Sequence, residues 1–415
     1  MATLVPFRAL RPKPADAARI AAVPYDVVSA EEARALADGN PLSFLRVSRA
    51  EIELPPTVDP YSGAVYERAA ANFETLRARV LVVEDDASVY LYRLRMGAHE
   101  QTGVAACFSL AEYGRDVIKK HERTRRDKED DRTRHVLALG AQTGPVFLTY
   151  RSIKAIDDVA ERVAGGDPLF DFDAADGVRH TIWRAPAAER DRLVASFRDI
   201  PALYIADGHH RAASADRAWH EIRSGRSDRG RPSRPPLDDG AGADTMLAVA
   251  FPHDQMQILP YNRVVKDLAG LAPEQFLAAV RERFAVAPGP AAPVQRGEMA
   301  MFLQGRWYTL HPRVAPDRGD PIASLDVSVL QDQLLAPILK IADVRTDARI
   351  DFVGGARGVA ALERLVEGGA AAVAFSLFPV NVADLMAVSD AGAIMPPKST
   401  WFEPKLRDGL LIHLI

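Results

Sequence analysis

Five consecutive residues, Asp207-Gly208-His209-His210-Arg211, bring together a carboxylate, a glycine, two imidazoles and a guanidinium. Such a set can bind an anion, move a proton or hold a metal. Leu203 to Ala206 just before it is a run of buried-strand type, and the pattern from His209 to Ile222 continues at helical period. Strand, glycine turn and helix is the order that aims the unpaired N–H groups of a helix's first turn, with the positive end of its dipole, at whatever lies above the turn. Basic residues in a first turn are unfavourable unless a negative ligand offsets them. Gly208, His209, His210 and Arg211 are therefore assigned to phosphate binding, Gly208 admitting the ligand close to the backbone and Arg211 gripping two oxygens with its planar fork. Asp207 caps the helix, or holds a metal or a substrate hydroxyl. The alternative is an ordinary capped helix with two structural histidines.

Other segments carry related chemistry. His121, Arg125, Lys128, Arg132 and His135 fall at helical spacing, a basic stripe able to meet a polyphosphate. Glu122, Arg126 and Glu129 sit on a neighbouring face, so a solvated helix laced with ion pairs fits the same residues equally. In the loop from Met395 to Lys405, two prolines stiffen the chain before Lys398, Ser399 and Thr400, and Trp401 and Phe402 are placed to anchor it. A lysine beside hydroxyls is phosphate-binding chemistry, although the glycine spacing of a Walker A loop is absent and a buried structural turn is the alternative. Lys405 suits either reading. Tyr25, Asp26, Asn40 and Ser43 are polar groups beside prolines that line a pocket or serve structure. Phe352-Val353-Gly354-Gly355 ends a strand-like run with a glycine pair that admits a ligand or makes a turn. No metal site is assigned, because adjacent histidines at a helix start rarely converge on one ion and Cys107 is the only cysteine. Neither a Gly-x-Ser-x-Gly elbow nor a dinucleotide-binding glycine fingerprint occurs.

The positioning elements follow from periodicity. Prolines 6, 12, 14 and 24 keep the first segment loop-rich. Ser29 followed by Glu31 and Glu32 opens a capped helix to Ala37, which Gly39, Asn40 and Pro41 stop. Pro41 to Val47 reads as a short strand, Tyr61 to Val80 as an amphipathic helix, and Ser88 to Met96 with Thr102 to Ser109 as an antiparallel pair. Ala111 to Leu139 reads as one long charged helix. Pro145 to Tyr150, His180 to Arg184 and Thr245 to Phe251 read as strands, and Ile153 to Val163 as a helix. The stretch Ser224 to Ala243, rich in proline, glycine and charge, has almost nothing to bury and is expected to be a mobile surface loop. Strands and helices alternate without a strict βαβ rhythm, which predicts an α/β protein with a mixed sheet rather than a doubly wound parallel one. The expected division is 1–110, 111–265 and 266–415.

Composition narrows the function. The 415 residues are 48% apolar, with 52 basic and 56 acidic residues and a net charge of −4, so there is no overall electrostatic reason to expect a nucleic acid or an anionic membrane as partner. The single cysteine suits a reducing compartment. Arg8, Arg11 and Lys13 among prolines replace the apolar stretch of a signal peptide, and no apolar run reaches membrane-spanning length. A cytoplasmic location is expected.

The stretch Ile205-Ala206-Asp207-Gly208-His209-His210-Arg211 resembles the nucleotide motif of the ParB and sulfiredoxin superfamily, some members of which phosphorylate free serine. Over nearly its whole length the chain also resembles a widespread uncharacterised bacterial family sometimes described as ParB-related. That likeness lies in Val23-Pro24-Tyr25-Asp26-Val27, Asn40 to Leu45, His121-Glu122 with Thr124, Lys128-Glu129 and Arg132, the Asp207 turn, and Met395 to Phe402. The resemblance implies a ParB/sulfiredoxin-like nucleotide-binding core with an additional α/β domain, and a kinase that uses ATP or ADP with Mg²⁺ to phosphorylate a small hydroxylated metabolite such as serine.

On this reading Gly208, His209, His210 and Arg211 hold phosphates, with Lys128, Arg132, Lys398, Ser399 and Thr400 as further nucleotide contacts. Glu122, Asp207 and His209 are the catalytic candidates, Glu122 or Asp207 orienting or deprotonating the acceptor hydroxyl. The rival readings are a nucleotide-binding switch without metabolite chemistry and a ParB-like nucleic-acid-associated protein. The second is weakened by net acidity and by the lack of a legible helix-turn-helix.

Overall fold

Two apolar runs, 146–150 and 245–252, are buried along their whole length, as strands covered on both faces must be. They lie side by side in a nine-stranded sheet. In the computed structural model, which describes residues 1–225 and 241–415, its strands are β1 (Leu4–Val5), β2 (Tyr90–Met96), β3 (His99–Ser109), β4 (Ile118–Lys119), β5 (Val146–Tyr150), β6 (Phe170–Asp173), β7 (Val178–Arg184), β8 (Leu203–Asp207) and β9 (Thr245–Pro252). Their order is β4-β8-β5-β9-β3-β2-β7-β6, with β1 paired to β3. The β4–β8 and β5–β9 pairs are parallel and the others antiparallel. The sheet is therefore mixed, as the irregular alternation of elements predicts.

Helices of this unit include α1 (Ala30–Ala37), α2 (Leu45–Ser48), α3 (Gly63–Arg79), α4 (Arg126–Leu139), α5 (Lys154–Ala164), α6 (Ala187–Phe197) and α7 (His209–Arg223). Ile156, Val159 and Val163 recur on one face of α5, and Leu193 and Phe197 on one face of α6. Both stripes join the core formed by Leu91, Phe108, Leu148 and Ile205 of the sheet. The α7 face that packs into this core is lined by Ala212 and Ala215, whose small side chains let the helix lie close to the strands.

The second unit is a six-stranded antiparallel sheet of β10 (Tyr261–Val265), β11 (Phe284–Pro288), β12 (Met299–Leu303), β13 (Arg306–Pro312), β14 (Ile350–Gly354) and β15 (Val373–Leu377), in the order β11-β13-β12-β15-β10-β14. Helix α8 (Pro273–Arg283) contributes Phe276 and Val280 to one apolar cluster, and α9 (Val359–Glu367) contributes Ala361 and Leu362 to another.

Several expectations change. The chain divides into Met1–Met256 with Pro404–Ile415, and Gln257–Glu403, and the expected boundaries after 110 and 265 do not coincide with this division. The reason is long-range pairing: β3 bonds to β9 across the first boundary, and the Leu10 N–H donates to the Ile412 carbonyl, returning the C-terminal segment to the first unit. Pro41 to Val47 is not a strand. The Asn40 side chain accepts the Leu42 N–H at 3.1 Å, turning the chain into α2. Ala111 to Leu139 is not one helix either. It begins as the short helix Leu110–Gly114, turns at Asp116 with φ 59°, adds β4 to the sheet beside β8, and becomes α4 only at Arg126. Edge pairing outweighs helical propensity over Ile118 and Lys119. The expected surface loop 224–243 falls mostly outside the described residues. Among the described residues no helix is long and apolar enough to cross a membrane.

Candidate functional site

The corner expected from the sequence is present. Strand β8 ends at Asp207, Gly208 turns with φ 89°, and α7 begins at His209. A positive φ of this size is the reason for glycine here. The Gly208 carbonyl accepts the N–H groups of Arg211 at 2.9 Å and Ala212 at 3.0 Å. Helix geometry leaves the N–H groups of His209 and His210 without an intrahelical acceptor.

Asp207 does not cap α7 through a turn-away side chain. Its Oδ1 accepts the Gly208 N–H and its Oδ2 accepts from Lys405 Nζ, each at 2.8 Å. Burial alone raises this carboxyl, but Lys405 and Arg211 more than offset that and hold it well below the usual carboxylate range. Asp207 is an ionised, engaged group, which suits positioning better than proton abstraction.

The histidines correct the electrostatic argument made from the sequence. His209 is buried, its Nε2 accepts the His121 peptide N–H at 3.4 Å, and its ring meets that of His121 edge to face with centroids 4.4 Å apart. Burial, then the neighbouring His121, keep its basicity well below the ordinary histidine value. His210 Nε2 accepts the Arg125 N–H at 3.1 Å, and burial lowers it too. Both imidazoles are held neutral, so only Arg211 places a full positive charge in the first turn. The three side chains fan out to different neighbours.

Arg211 turns toward Tyr25. Its Nη1 donates to the Pro145 carbonyl and its Nη2 to Asp26 Oδ1, each at 3.1 Å, while its buried Nε has no hydrogen-bond partner. The guanidinium lies 5.7 Å from the Tyr25 ring centroid, and that of Arg132 lies 4.2 Å from it. Tyr25, Arg132 and Arg211, with Thr143, Ser214 and Asp408, line a cleft with a cavity volume of about 40 Å³. Burial pushes the Asp408 carboxyl up to about 7, against the pull of Arg211 and Arg132. Nη1 and Nη2 each hold one protein partner, and Nε is the guanidinium nitrogen that has none.

The basic stripe does not form. His121 precedes α4, Arg125 is its N-cap, and buried His135 donates from Nε2 to the Val47 carbonyl at 3.0 Å. Lys128 is half-buried and donates to the Tyr61 hydroxyl at 2.8 Å. Arg132 is bound to Asp131 Oδ2 at 2.9 Å and to the Ser48 carbonyl at 3.2 Å. Glu122 is exposed, with Oε2 3.8 Å from His209 Nδ1. Lys398, Ser399 and Thr400 belong to the second unit. There Ser399 Oγ donates to the Pro396 carbonyl at 2.5 Å, and the Lys398 carbonyl accepts from Arg263 at 3.0 Å. The glycine pair serves close packing: a Cβ on Gly354 would stand 2.9 Å from the Trp401 ring, and one on Gly355 2.6 Å from the Pro260 carbonyl.

Sequence reasoning left Asp408 and the His121–His209 contact unread. Both join segments far apart in the chain, and no local signal marks either one.

A family model described as "Protein of unknown function (DUF1015)" matches residues 4–328. No curated protein matches. Among solved structures, one described as "Free serine kinase in complex with AMP" is 14% identical with a TM-score of 0.35, the match covering 75% of this chain and 92% of that one. "SbnI with C-terminal truncation from Staphylococcus aureus" is 12% identical with a TM-score of 0.40, covering 75% and 87%. A conserved hypothetical protein from Pyrococcus furiosus is 13% identical with a TM-score of 0.35, covering 75% and 95%. Likenesses of this size carry no argument about activity.

Proposed function

The chain belongs to this family of unknown function, which lends it no activity, and we propose that it is a nucleotide-dependent phosphotransferase acting on a small hydroxylated metabolite, with ATP or ADP as donor and free serine among the acceptors, as the resemblance of its Asp207 turn implies. The observation that carries the reading is the buried Arg211, whose Nε lacks an acceptor, one helical turn from a glycine corner where two backbone N–H groups have no intrahelical acceptor. Those donors suit the phosphates of a nucleotide. The resemblance of Asp207 to Arg211 to a nucleotide motif supports the same assignment. His209 and His210 line this corner as neutral groups, and Lys128 and Arg132 are further candidates for nucleotide contact.

In the reaction the acceptor hydroxyl oxygen bonds to the terminal phosphorus of the donor and the bond from phosphorus to the leaving nucleotide oxygen breaks. The hydroxyl proton passes to a carboxylate, and Glu122, exposed beside His209, is that base. Asp207, fixed by Lys405, positions the corner. Lys398, Ser399 and Thr400 form a separate phosphate-binding candidate on the second unit. Magnesium, implied by the resemblance, wants hard oxygen donors. Both oxygens of Asp207 are engaged, and Glu122 stands beside imidazole nitrogen, so this donor set does not suit it and no step is routed through it.

Incubation with ATP, ADP or CTP and a panel of amino acids and sugars, followed by ³¹P NMR, tests the proposal. A new phosphomonoester signal that needs both nucleotide and acceptor is expected. Nucleotide turnover without an acceptor favours the switch, and no nucleotide binding at all sinks both.

A further inference from the structure

His121 and Glu122 leave strand β4, and His209 opens α7, 88 residues further along the chain. One ligating atom of each lies within 4.8 Å of the others. His121 is buried with only 2% of its surface exposed, yet its Nδ1 has no hydrogen-bond partner. A buried imidazole nitrogen without a partner is costly, and a bound metal ion would satisfy it. Burial keeps both imidazoles in the neutral form that ligates.

We propose that His121, Glu122 and His209 form a binding site for a divalent transition-metal ion of the zinc class. Two imidazole nitrogens and one carboxylate are a borderline donor set that favours zinc, cobalt or manganese over magnesium. Three protein ligands leave a coordination position open, and with Glu122 exposed that position faces solvent, the arrangement of reactive rather than structural zinc sites. Ligands at the usual zinc distances of about 2.0–2.2 Å stand roughly 3.4 Å from one another in a tetrahedron, so the cluster must contract by about an ångström. Glu122, at the surface, supplies most of that movement. Ligation through His209 Nδ1 shifts its proton to Nε2, and the long 3.4 Å contact from the His121 peptide N–H is then given up.

The inference goes beyond the phosphotransferase reading and does not need it. Ligation to a divalent ion lowers the basicity of a carboxylate, so the metal-bound form of Glu122 and its role as a base are alternative states of the residue. The test uses the resting protein without nucleotide or acceptor, so its outcome is separable from that of the kinase assay. The full chain, without a polyhistidine tag and stripped with EDTA, is titrated with Zn²⁺ against a chromophoric chelator and with Co²⁺ in the visible range. One ion per chain and the absorption bands of low-coordinate cobalt are expected. Glu122→Gln, an exposed change that leaves packing intact, and His121→Ala each weaken Zn²⁺ binding by more than about tenfold, since even outer-shell changes at metal sites cost 10–100-fold. No binding, an affinity unchanged in Glu122→Gln, or displacement by equimolar Mg²⁺ overturns the proposal.

Discussion

Lys405 Nζ stands 2.8 Å from Asp207 Oδ2, so a residue near the C-terminus neutralises the carboxylate at the end of β8. The side chains are 13% and 28% exposed, between the surface and buried regimes of ion pairing. Lys405→Met is expected to cost about 2 kcal/mol, more than an exposed pair and less than a fully buried one. Urea denaturation of Lys405→Met, Asp207→Asn and the double variant measures it. Additive effects in that cycle would show that the pair is not coupled.

Gly208→Ala places a side chain at φ 89°. Its Cβ would meet nothing closer than 3.4 Å, so the penalty is conformational rather than steric. A loss of roughly 1–2 kcal/mol is expected. A neutral result in chemical denaturation would mean that the corner relaxes.

Arg211→Ala removes the guanidinium whose Nε has no partner. In the parent, ATP or ADP at 100 times Kd is expected to add about 2.7 kcal/mol of stability, seen as a rise in Tm. The variant should lose that rise. An equal shift in both proteins would remove Arg211 from the nucleotide site.

Asp408 governs an acid-side dependence. It is buried, faced by Arg211, Asp26, Arg132 and Arg407, and its carboxyl is pushed up to about 7 chiefly by burial. Between the ordinary aspartate value near 4 and about 7, the folded state holds a proton that the unfolded state has released. Its contribution to stability is therefore greatest below the ordinary value and declines as pH rises to about 7, at up to about 1.4 kcal/mol per unit. Asp408→Asn should flatten that part of the Tm profile. The same slope in the variant would assign the dependence to another group.

The legible part of the molecule was local. The β8–Gly208–α7 corner follows from a short apolar run, a glycine and a helical period. The start of α1 follows from Ser29 and Glu32, which exchange hydrogen bonds with each other's backbone N–H groups. The mixed character of the sheet follows from the irregular order of elements. Pro41 to Val47 misled because a short apolar run has the same composition in a strand as in a buried helical turn.

What residue order by itself determined is where the backbone turns and which residues are available at the turn, because backbone preference acts over a few neighbours. Only the tertiary structure decided what those residues are. His209 is neutral because His121 and the core close around it. Asp207 is held as a carboxylate because Lys405 reaches it from 198 positions away, and Arg211 is fixed by Pro145 on Nη1 and by Asp26 on Nη2. Charge state and hydrogen-bond capacity depend on burial and on partners distant in the chain, and no local pattern encodes either.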